Sequence, residues 1–147
     1  MIRKMHIDYD DPILDHYSAN QLKKVADYAA RKYLIKHSDG KCFITRRYFH
    51  PEDMDVAHYI PRGKICLRYD LRNIHLTSRR SNQWDNSQYN EGKWGLLSKH
   101  EFEYRSRLME VYGNHIIETL QDVVETSRGT VYTREFYIET IENFRHG

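Results

Sequence analysis

The sequence is poor in the features that mark secreted, disulfide-stabilised or membrane proteins. Its 147 residues include only two cysteines, Cys42 and Cys66, which form neither a CxxC pair nor a disulfide framework. A reducing, intracellular setting is therefore expected. No apolar run approaches the roughly 18 residues of a membrane span, and no basic and apolar leader opens the chain. We expect neither a membrane helix nor a secretion signal.

The net charge of +2 conceals a strong asymmetry along the chain. Residues 41–80 hold nine Lys and Arg against four Asp and Glu, a net charge of +5. Residues 101–147 hold five against nine, a net charge of −4. A positive segment favours a polyanionic partner such as nucleic acid. The same clustering is also compatible with an ordinary solvated surface.

Apolar spacing and end signals predict an α+β fold, mainly helical, in one domain. Ser18 or Asn20 is expected to cap the first helix, and Gly113 to end the second. The predicted helices are 18–37, 98–112, 115–126 and 133–144, and the predicted short strands are 41–45, 56–59 and 73–77. Segments 64–72 and 83–98 are expected as loops, a further helix is expected to begin at 78–82, and the first ten residues are expected as a loosely held arm.

Residues 55–82 contain the most specific pattern in the chain. Asp55 precedes His58 near the end of a predicted strand, and Asn82 opens the next predicted helix. A neutral His with a pKa near 6.5 can take a proton from water. One Mg²⁺ or Mn²⁺ ion, which can need only one or two protein oxygens, can polarise a phosphodiester. The pattern predicts His58 as a general base and Asp55 and Asn82 as metal ligands.

Asn73 is predicted to support catalysis by bonding loop backbone and holding the strand of His58 in register. The basic residues predicted to contact DNA phosphates are Arg62, Lys64, Arg68, Arg79 and Arg80. Each site residue also has an ordinary interpretation. His58 could be a strand histidine, Asp55 a turn cap, and the two asparagines turn and N-cap residues.

The ordered pattern resembles the lambdoid phage Rap/NinG recombination nucleases, an HNH-type family acting on branched DNA. The resemblance covers roughly residues 21–113 and is most specific over 55–82. It rests on Ala26–Lys36, Ser38–Ile44, Asp55–Tyr59, Arg62-Gly63, Leu67–Asp70, Arg72-Asn73, His75 and Asn82, and more faintly on Tyr104-Arg105 and Tyr112-Gly113. It implies a ββα-metal (HNH, His-Me finger) core embedded in a mainly helical single domain, with the same roles for His58, Asn73, Asp55 and Asn82. His75 matches a family histidine, and a structural hydrogen bond is expected for it.

Two departures from the family pattern affect its metals. Where the family carries two CxxC pairs for zinc, this chain has Cys42-Phe-Ile-Thr45 and Ser78-Arg-Arg-Ser81. Hydroxyls do not replace thiolates on Zn²⁺, so no structural zinc is expected. Residue 57 is Ala where many HNH proteins place a metal ligand, which questions the ligand set but not the base.

The resemblance implies a domain plan with an N-terminal arm at 1–17 and a nuclease domain at 18–113, whose core is 41–90. The C-terminal helices, 114–147, are expected to pack on the same domain. A cytoplasmic, phage-encoded or prophage-derived setting in a bacterial host is expected. By analogy with junction-cutting nucleases, a homodimer is expected through helix 98–112 or 115–126.

The leading functional prediction is a metal-dependent HNH endonuclease acting on DNA, on branched or recombination intermediates. A sequence-tolerant nicking or homing-type endonuclease differs from it only in substrate. A non-catalytic nucleic-acid-binding protein with a degenerate HNH fold is the alternative from another class. A small helical interaction protein would explain the acidic C-terminal half but not residues 55–82.

Overall fold

The computed structural model of the chain describes residues 6–79 and 99–147. The elements in these ranges are α1 (Ala19–His37), a 3₁₀ turn (Pro51–Asp53), β1 (Met54–His58), α2 (Ile65–Arg68), β2 (Ile74–Ser78), α3 (Lys99–Tyr112), α4 (Ile116–Thr126) and α5 (Arg134–His146). Helices and a two-stranded antiparallel sheet confirm the α+β class. Among these residues no helix has the length and apolar character needed to cross a membrane.

Helix α1 begins where the sequence predicts, because Ser18 forms a capping box with Gln21. The Ser18 side chain accepts from the Gln21 backbone, and the Gln21 side chain accepts from the Ser18 backbone. The buried side of the helix carries Leu22, Val25, Ala26, Ala29 and Ala30. Helix α5 packs against it through Tyr137 and Ile141, which forms one of the hydrophobic clusters of the fold.

Residues 11–17, which follow the segment expected as a loosely held arm, pack against these helices, and residues 1–5 of that arm lie outside the described residues. Leu14 and Tyr17 are buried in the cluster between α1 and α5. The Tyr17 hydroxyl donates to Asp11 at 2.9 Å, and Arg145 of α5 donates to the Asp11 carbonyl at 2.7 Å. Hydrogen bonds within the segment and to α5 thus hold it, and the buried Leu14 and Tyr17 anchor it.

The sheet pairs β1 with β2 so that Asp55 lies opposite Thr77 and His58 lies opposite Ile74. The observed strands extend the predicted strand at 56–59 backwards to Met54 and shift the one at 73–77 by a single residue. Since side chains alternate along a strand, one face carries Asp55, Ala57, His75 and Thr77, and the other carries Met54, Val56, His58, Ile74, Leu76 and Ser78. The first face packs towards α3 and α4, and the second towards α1.

The segment predicted as a strand at 41–45 is a turn. The Arg46 amide donates to the Cys42 carbonyl at 2.8 Å, and only the pair Lys41 and Tyr48 forms a β-bridge. Arg46 has a positive φ of 63°, which reverses the chain after only two or three apolar residues. The predicted loop at 64–72 contains the single-turn helix α2, formed because Leu67 is fully buried.

Helices α3 and α4 are both predicted from the sequence. They pack on the face of the sheet that is opposite α1. Gly113, with a φ of 100°, ends α3. Tyr104 and Leu108 of α3 and Leu120 of α4 are buried together with Ala57 and Leu67. The end of β1 and the loop after it are thus covered by apolar side chains on one side.

Candidate functional site

His58 lies at the end of β1, with its imidazole half-buried on the α1 side of the sheet. Its Nε2 is 3.1 Å from the carbonyl oxygen of Arg68. A carbonyl can only accept, so Nε2 carries the proton and Nδ1 keeps the lone pair. Burial lowers the pKa of His58 to about 4, and the charges of Arg68 and Arg62 act in the same direction, while the hydrogen bond to the carbonyl opposes them. The ring is therefore neutral at physiological pH.

Asn73 makes the loop hydrogen bonds that the sequence predicts for it. Its side chain is completely buried. Oδ1 accepts from the Ile60 amide at 2.7 Å, and Nδ2 donates to the carbonyls of Ile60 at 3.0 Å and Leu67 at 3.1 Å. Both ends of the loop between β1 and α2 are thus tied to one side chain. Because Leu67 precedes Arg68, this bridge also fixes the carbonyl that His58 contacts.

Arg68 does not fit the predicted role of a phosphate contact. Its guanidinium binds Asp27 of α1 at two points, Nε to Oδ1 at 2.9 Å and Nη2 to Oδ2 at 2.6 Å. Only 12% of the Arg68 side chain is exposed. The third contact, to the Arg62 carbonyl at 3.3 Å, also lies within the protein. Arg68 instead locks the backbone that positions His58.

Asp55 is not brought next to His58. Residues three apart in a strand project from opposite faces, and the register of β1 places Asp55 with Thr77. Its carboxylate lies 3.3 Å from Nε of Arg79, whose Nη2 also donates to the Glu52 carbonyl at 2.6 Å. Asp55 therefore does not lie beside the predicted base, and Arg79 is partly engaged within the protein.

The remaining predicted ligand, Asn82, and the predicted DNA contact Arg80 lie outside the described residues. Within residues 6–79 and 99–147 no group of three or more His, Cys, Asp and Glu side chains is placed to hold a metal ion. Asp55 alone, already paired with a cation, does not make a Mg²⁺ or Mn²⁺ site beside His58.

Arg62 and Lys64 fit their predicted role better. Both are exposed in the loop after β1, and within the described ranges neither side chain has an ion pair or hydrogen bond. Arg62 is close enough to His58 for its charge to lower the pKa of the imidazole. Two cations of this loop thus remain available to phosphate, and Arg62 is the one near the histidine.

His75 has the structural role expected for it. Its ring is buried, with Nδ1 2.8 Å from the Tyr104 hydroxyl and Nε2 3.0 Å from the Tyr112 hydroxyl. It stacks on Phe43 at 3.8 Å between centroids. Burial, reinforced by the charge of Arg107, lowers the pKa of His75 to about 3. A neutral imidazole with both nitrogens occupied cannot act as a base.

Cys42 lies where the resemblance would place a zinc ligand. Its buried sulfur accepts hydrogen bonds from the backbone amides of Thr45 at 3.5 Å and Ser78 at 3.4 Å. The side chains at these two positions are hydroxyls, which do not ligate structural zinc. Backbone hydrogen bonds and packing against Met54 and Leu76 join the turn to the sheet at this point.

Two groups that shape the site, Asp27 and Tyr104, belong to the segments that carry the resemblance, but no role was predicted for either of them. Asp27 stands among lysines on α1, 41 residues from its partner Arg68. Tyr104 lies 29 residues from His75, and its hydroxyl is also within 3.4 Å of the Ala57 carbonyl. Only the burial of neighbouring helix positions could have indicated either residue.

Comparisons of this chain with protein-family models, with curated proteins and with solved structures found no match.

Proposed function

We propose that this chain is an endonuclease of HNH type that hydrolyses DNA phosphodiester bonds with His58 as general base. The supporting observation is the arrangement of His58, the Arg68 carbonyl and Asn73 at the turn between β1 and β2. The Asn73 amide ties the loop at Ile60 and Leu67, and the loop in turn supplies the carbonyl that orients the imidazole.

The chemistry follows from the tautomer. With Nε2–H donated to a carbonyl, Nδ1 is the nitrogen that can accept a proton from an attacking water. The resulting imidazolium keeps its hydrogen bond to the Arg68 carbonyl, which stabilises the developing positive charge. A pKa of about 4 keeps His58 unprotonated at neutral pH, although it makes the imidazole a weaker base than one poised near 7.

The DNA substrate is supported by charge. Residues 41–80 carry a net +5, Arg62 and Lys64 are exposed in the loop after β1, and Arg62 is close enough to His58 for its charge to act on it. The finer assignment, to branched or recombination intermediates in a phage setting, rests on the resemblance of residues 55–82. A symmetric pair of chains acting in the cytoplasm belongs to the same proposal, and light scattering after size exclusion tests the pair.

Cleavage of supercoiled plasmid and of a four-way junction tests the enzyme, each with Mg²⁺, Mn²⁺ or EDTA. His58→Ala is expected to abolish cutting while binding and folding persist. His115→Ala is the matched control, because that side chain is 87% exposed and pairs with Glu118 on the outer side of α4. If the wild type and His58→Ala cut equally well, the base assignment fails. If His58→Ala does not fold, His58→Gln replaces it.

A non-catalytic nucleic-acid-binding protein is the second candidate, and one observation favours it. Asp55 is paired with Arg79 on the face opposite His58, so this predicted metal ligand does not lie beside the predicted base. This function requires tight binding that EDTA does not weaken, with no cutting by the wild type or by His58→Ala. The same set of assays therefore separates the two candidates.

A further inference from the structure

A cleft of about 640 Å³ lies between the end of α1, the turn at 41–47 and α3. We refer to it as the basic cleft. Its polar and aromatic walls include His37, Asp39, Lys41, Phe43, Arg46 and Arg107. His58 does not line it, so the cleft is distinct from the candidate site. Its volume lies within the range of about 300–1,000 Å³ that ligand pockets occupy.

Three cations from two segments, the turn at 41–47 and α3, line this cleft. Arg107 of α3 is held in place, with Nε donating to the Phe43 carbonyl at 3.0 Å and the guanidinium 5.2 Å from the Phe43 ring centre. Lys41 and Arg46 are exposed, Lys41 with its ammonium 5.0 Å over the ring of Tyr48. Arg46 has a positive φ, a backbone conformation that residues other than glycine seldom adopt. Holding cations together in this way favours an anionic ligand.

Two carboxylates oppose these cations. Asp39 is part of the wall. Glu110 places Oε1 3.4 Å from Nη1 of Arg107 and 3.9 Å from Nη1 of Arg46, with 61% of its side chain exposed. Glu110 does not itself line the cleft, but its contacts show that the guanidinium groups of Arg46 and Arg107 can share one anionic oxygen. An exposed carboxylate on a flexible side chain is readily displaced by a phosphate with more oxygens.

The cleft also presents planar groups. Phe43 stacks on the buried His75 at 3.8 Å, with the guanidinium of Arg107 adjacent to its ring. His37, at the end of α1, lies 4.2 Å from the ring of Tyr33. Nucleic-acid bases stack on aromatic rings and on arginine planes without regard to sequence. Because Phe43 and His37 already contact other rings within the protein, the three cations are the groups that favour a phosphate in this cleft.

We propose that the basic cleft binds a phosphodiester unit of a nucleic-acid strand through Lys41, Arg46 and Arg107, and that Glu110 is the anion displaced. The identity of the polymer rests on the proposed function, whereas the cleft itself does not. A free nucleotide or inorganic phosphate shares the same chemistry, and the test below separates these sources.

The experiment measures the fluorescence anisotropy of a labelled single-stranded and a labelled duplex oligonucleotide in EDTA, over a range of salt concentrations. The double variant Lys41→Gln/Arg46→Gln is expected to bind about tenfold more weakly at 0.1 M salt, with a salt slope lower by about 1 per cation removed. Glu110→Gln is expected to bind more tightly. Lys24→Gln is the matched control, since Lys24 is exposed on α1 and does not line the cleft.

The opposite signs for the double variant and Glu110→Gln guard against a general loss of fold, which circular dichroism also checks. Equal binding by the wild type and the double variant, or an equal loss in Lys24→Gln, overturns the inference. Inorganic phosphate or a mononucleotide that binds in an Arg46-dependent way without any oligonucleotide binding also overturns it. Arg46-dependent binding without plasmid cleavage leaves the inference standing and refutes the nuclease. His58-dependent cleavage with oligonucleotide binding that the cleft variants do not alter supports the nuclease and refutes the inference about the cleft.

Discussion

Arg68 and Asp27 join the loop of the candidate site to the middle of α1 through two hydrogen bonds of 2.9 Å and 2.6 Å. The carbonyl of the same Arg68 accepts from His58. The side chain and the backbone of one residue therefore link the helix to the imidazole. This relationship makes the position of His58 depend on a residue far away in the chain.

Asp27→Asn should destabilise the protein and weaken any cleavage. The isosteric amide removes the charge and turns a donor towards a guanidinium that is only 12% exposed. We expect a loss of about 1–3 kcal/mol in the free energy of unfolding, since hydrogen bonds to charged groups contribute about that much. Urea denaturation measures it. Asp10→Asn, which breaks the exposed pair with Lys32, is the control and should leave the unfolding midpoint unchanged. Equal effects of the two variants would show that the Asp27 pair is not special.

Asn73→Ala should be among the most destabilising single changes in the part of the chain that the structure describes. It leaves the Ile60 amide and the carbonyls of Ile60 and Leu67 without their partner inside the protein. Each unsatisfied buried group costs about 1–3 kcal/mol, so we expect a loss of about 2–4 kcal/mol in denaturant unfolding. Amide hydrogen exchange should show Ile60 losing its protection. Asn114→Ala, at an exposed position, should change neither measurement. A neutral result for Asn73→Ala would remove the structural basis of the proposed site.

The sequence predicted the elements whose signals are local. The capping residue Ser18, the terminator Gly113 and the spacing of apolar residues define α1, α3, α4 and α5 to within about two residues. The bridging role of Asn73 was also predicted, from its place in the pattern of residues 55–82, and its side chain makes hydrogen bonds to the loop backbone at Ile60 and Leu67. These features depend on chemistry within a few residues of the chain.

The features that the sequence missed depend on pairing across the chain. Arg68 was predicted to contact phosphate because it lies in a basic segment, but the carboxylate of Asp27, 41 residues away, neutralises it. Asp55 was expected to precede the strand of His58, yet β1 begins at Met54, so alternation sends the two side chains to opposite faces. A shift of two residues in a strand boundary thus changed the geometry of the whole predicted site.

Stability should fall with pH between about 6.5 and 4, because both buried histidines are neutral in the fold. The folded pKa of His58 is lowered to about 4 and that of His75 to about 3, so the unfolded chain binds more protons in this range. Their contribution is complete above the unfolded value of about 6.5 and is lost as the pH falls through the folded values. We expect His58 alone to contribute about 1–3 kcal/mol. Urea midpoints at pH 7.5, 6 and 5 should decline less for His58→Gln than for the wild type, and parallel declines would show that His58 is not buried as described.

Cleavage, if His58 is the base, should be independent of its protonation from about pH 5 upwards. A pKa of about 4 in the free protein places the loss of kcat/KM at acid pH, more than two units below that of an ordinary histidine. Plasmid nicking rates between pH 4.5 and 8 provide the measurement, restricted to conditions where circular dichroism shows the protein folded. A decline centred near pH 6.5 would mean that the titrating base is an exposed histidine rather than His58.

Asp55→Asn distinguishes the ligand set inferred from sequence from the arrangement in the structure. If Asp55 ligated a catalytic cation, the amide would cost on the order of 100-fold or more in cleavage, with a raised Mn²⁺ requirement. The structure instead shows Asp55 paired with Arg79 at 3.3 Å, on the face of β1 away from His58. We therefore expect cleavage to stay within about threefold of the wild type, because an exposed ion pair contributes little.

Arg79→Gln, which breaks the same pair from the other side, is the matched control. A large loss in Asp55→Asn but not in Arg79→Gln would return Asp55 to the metal site and would require β1 to rearrange when the cation binds.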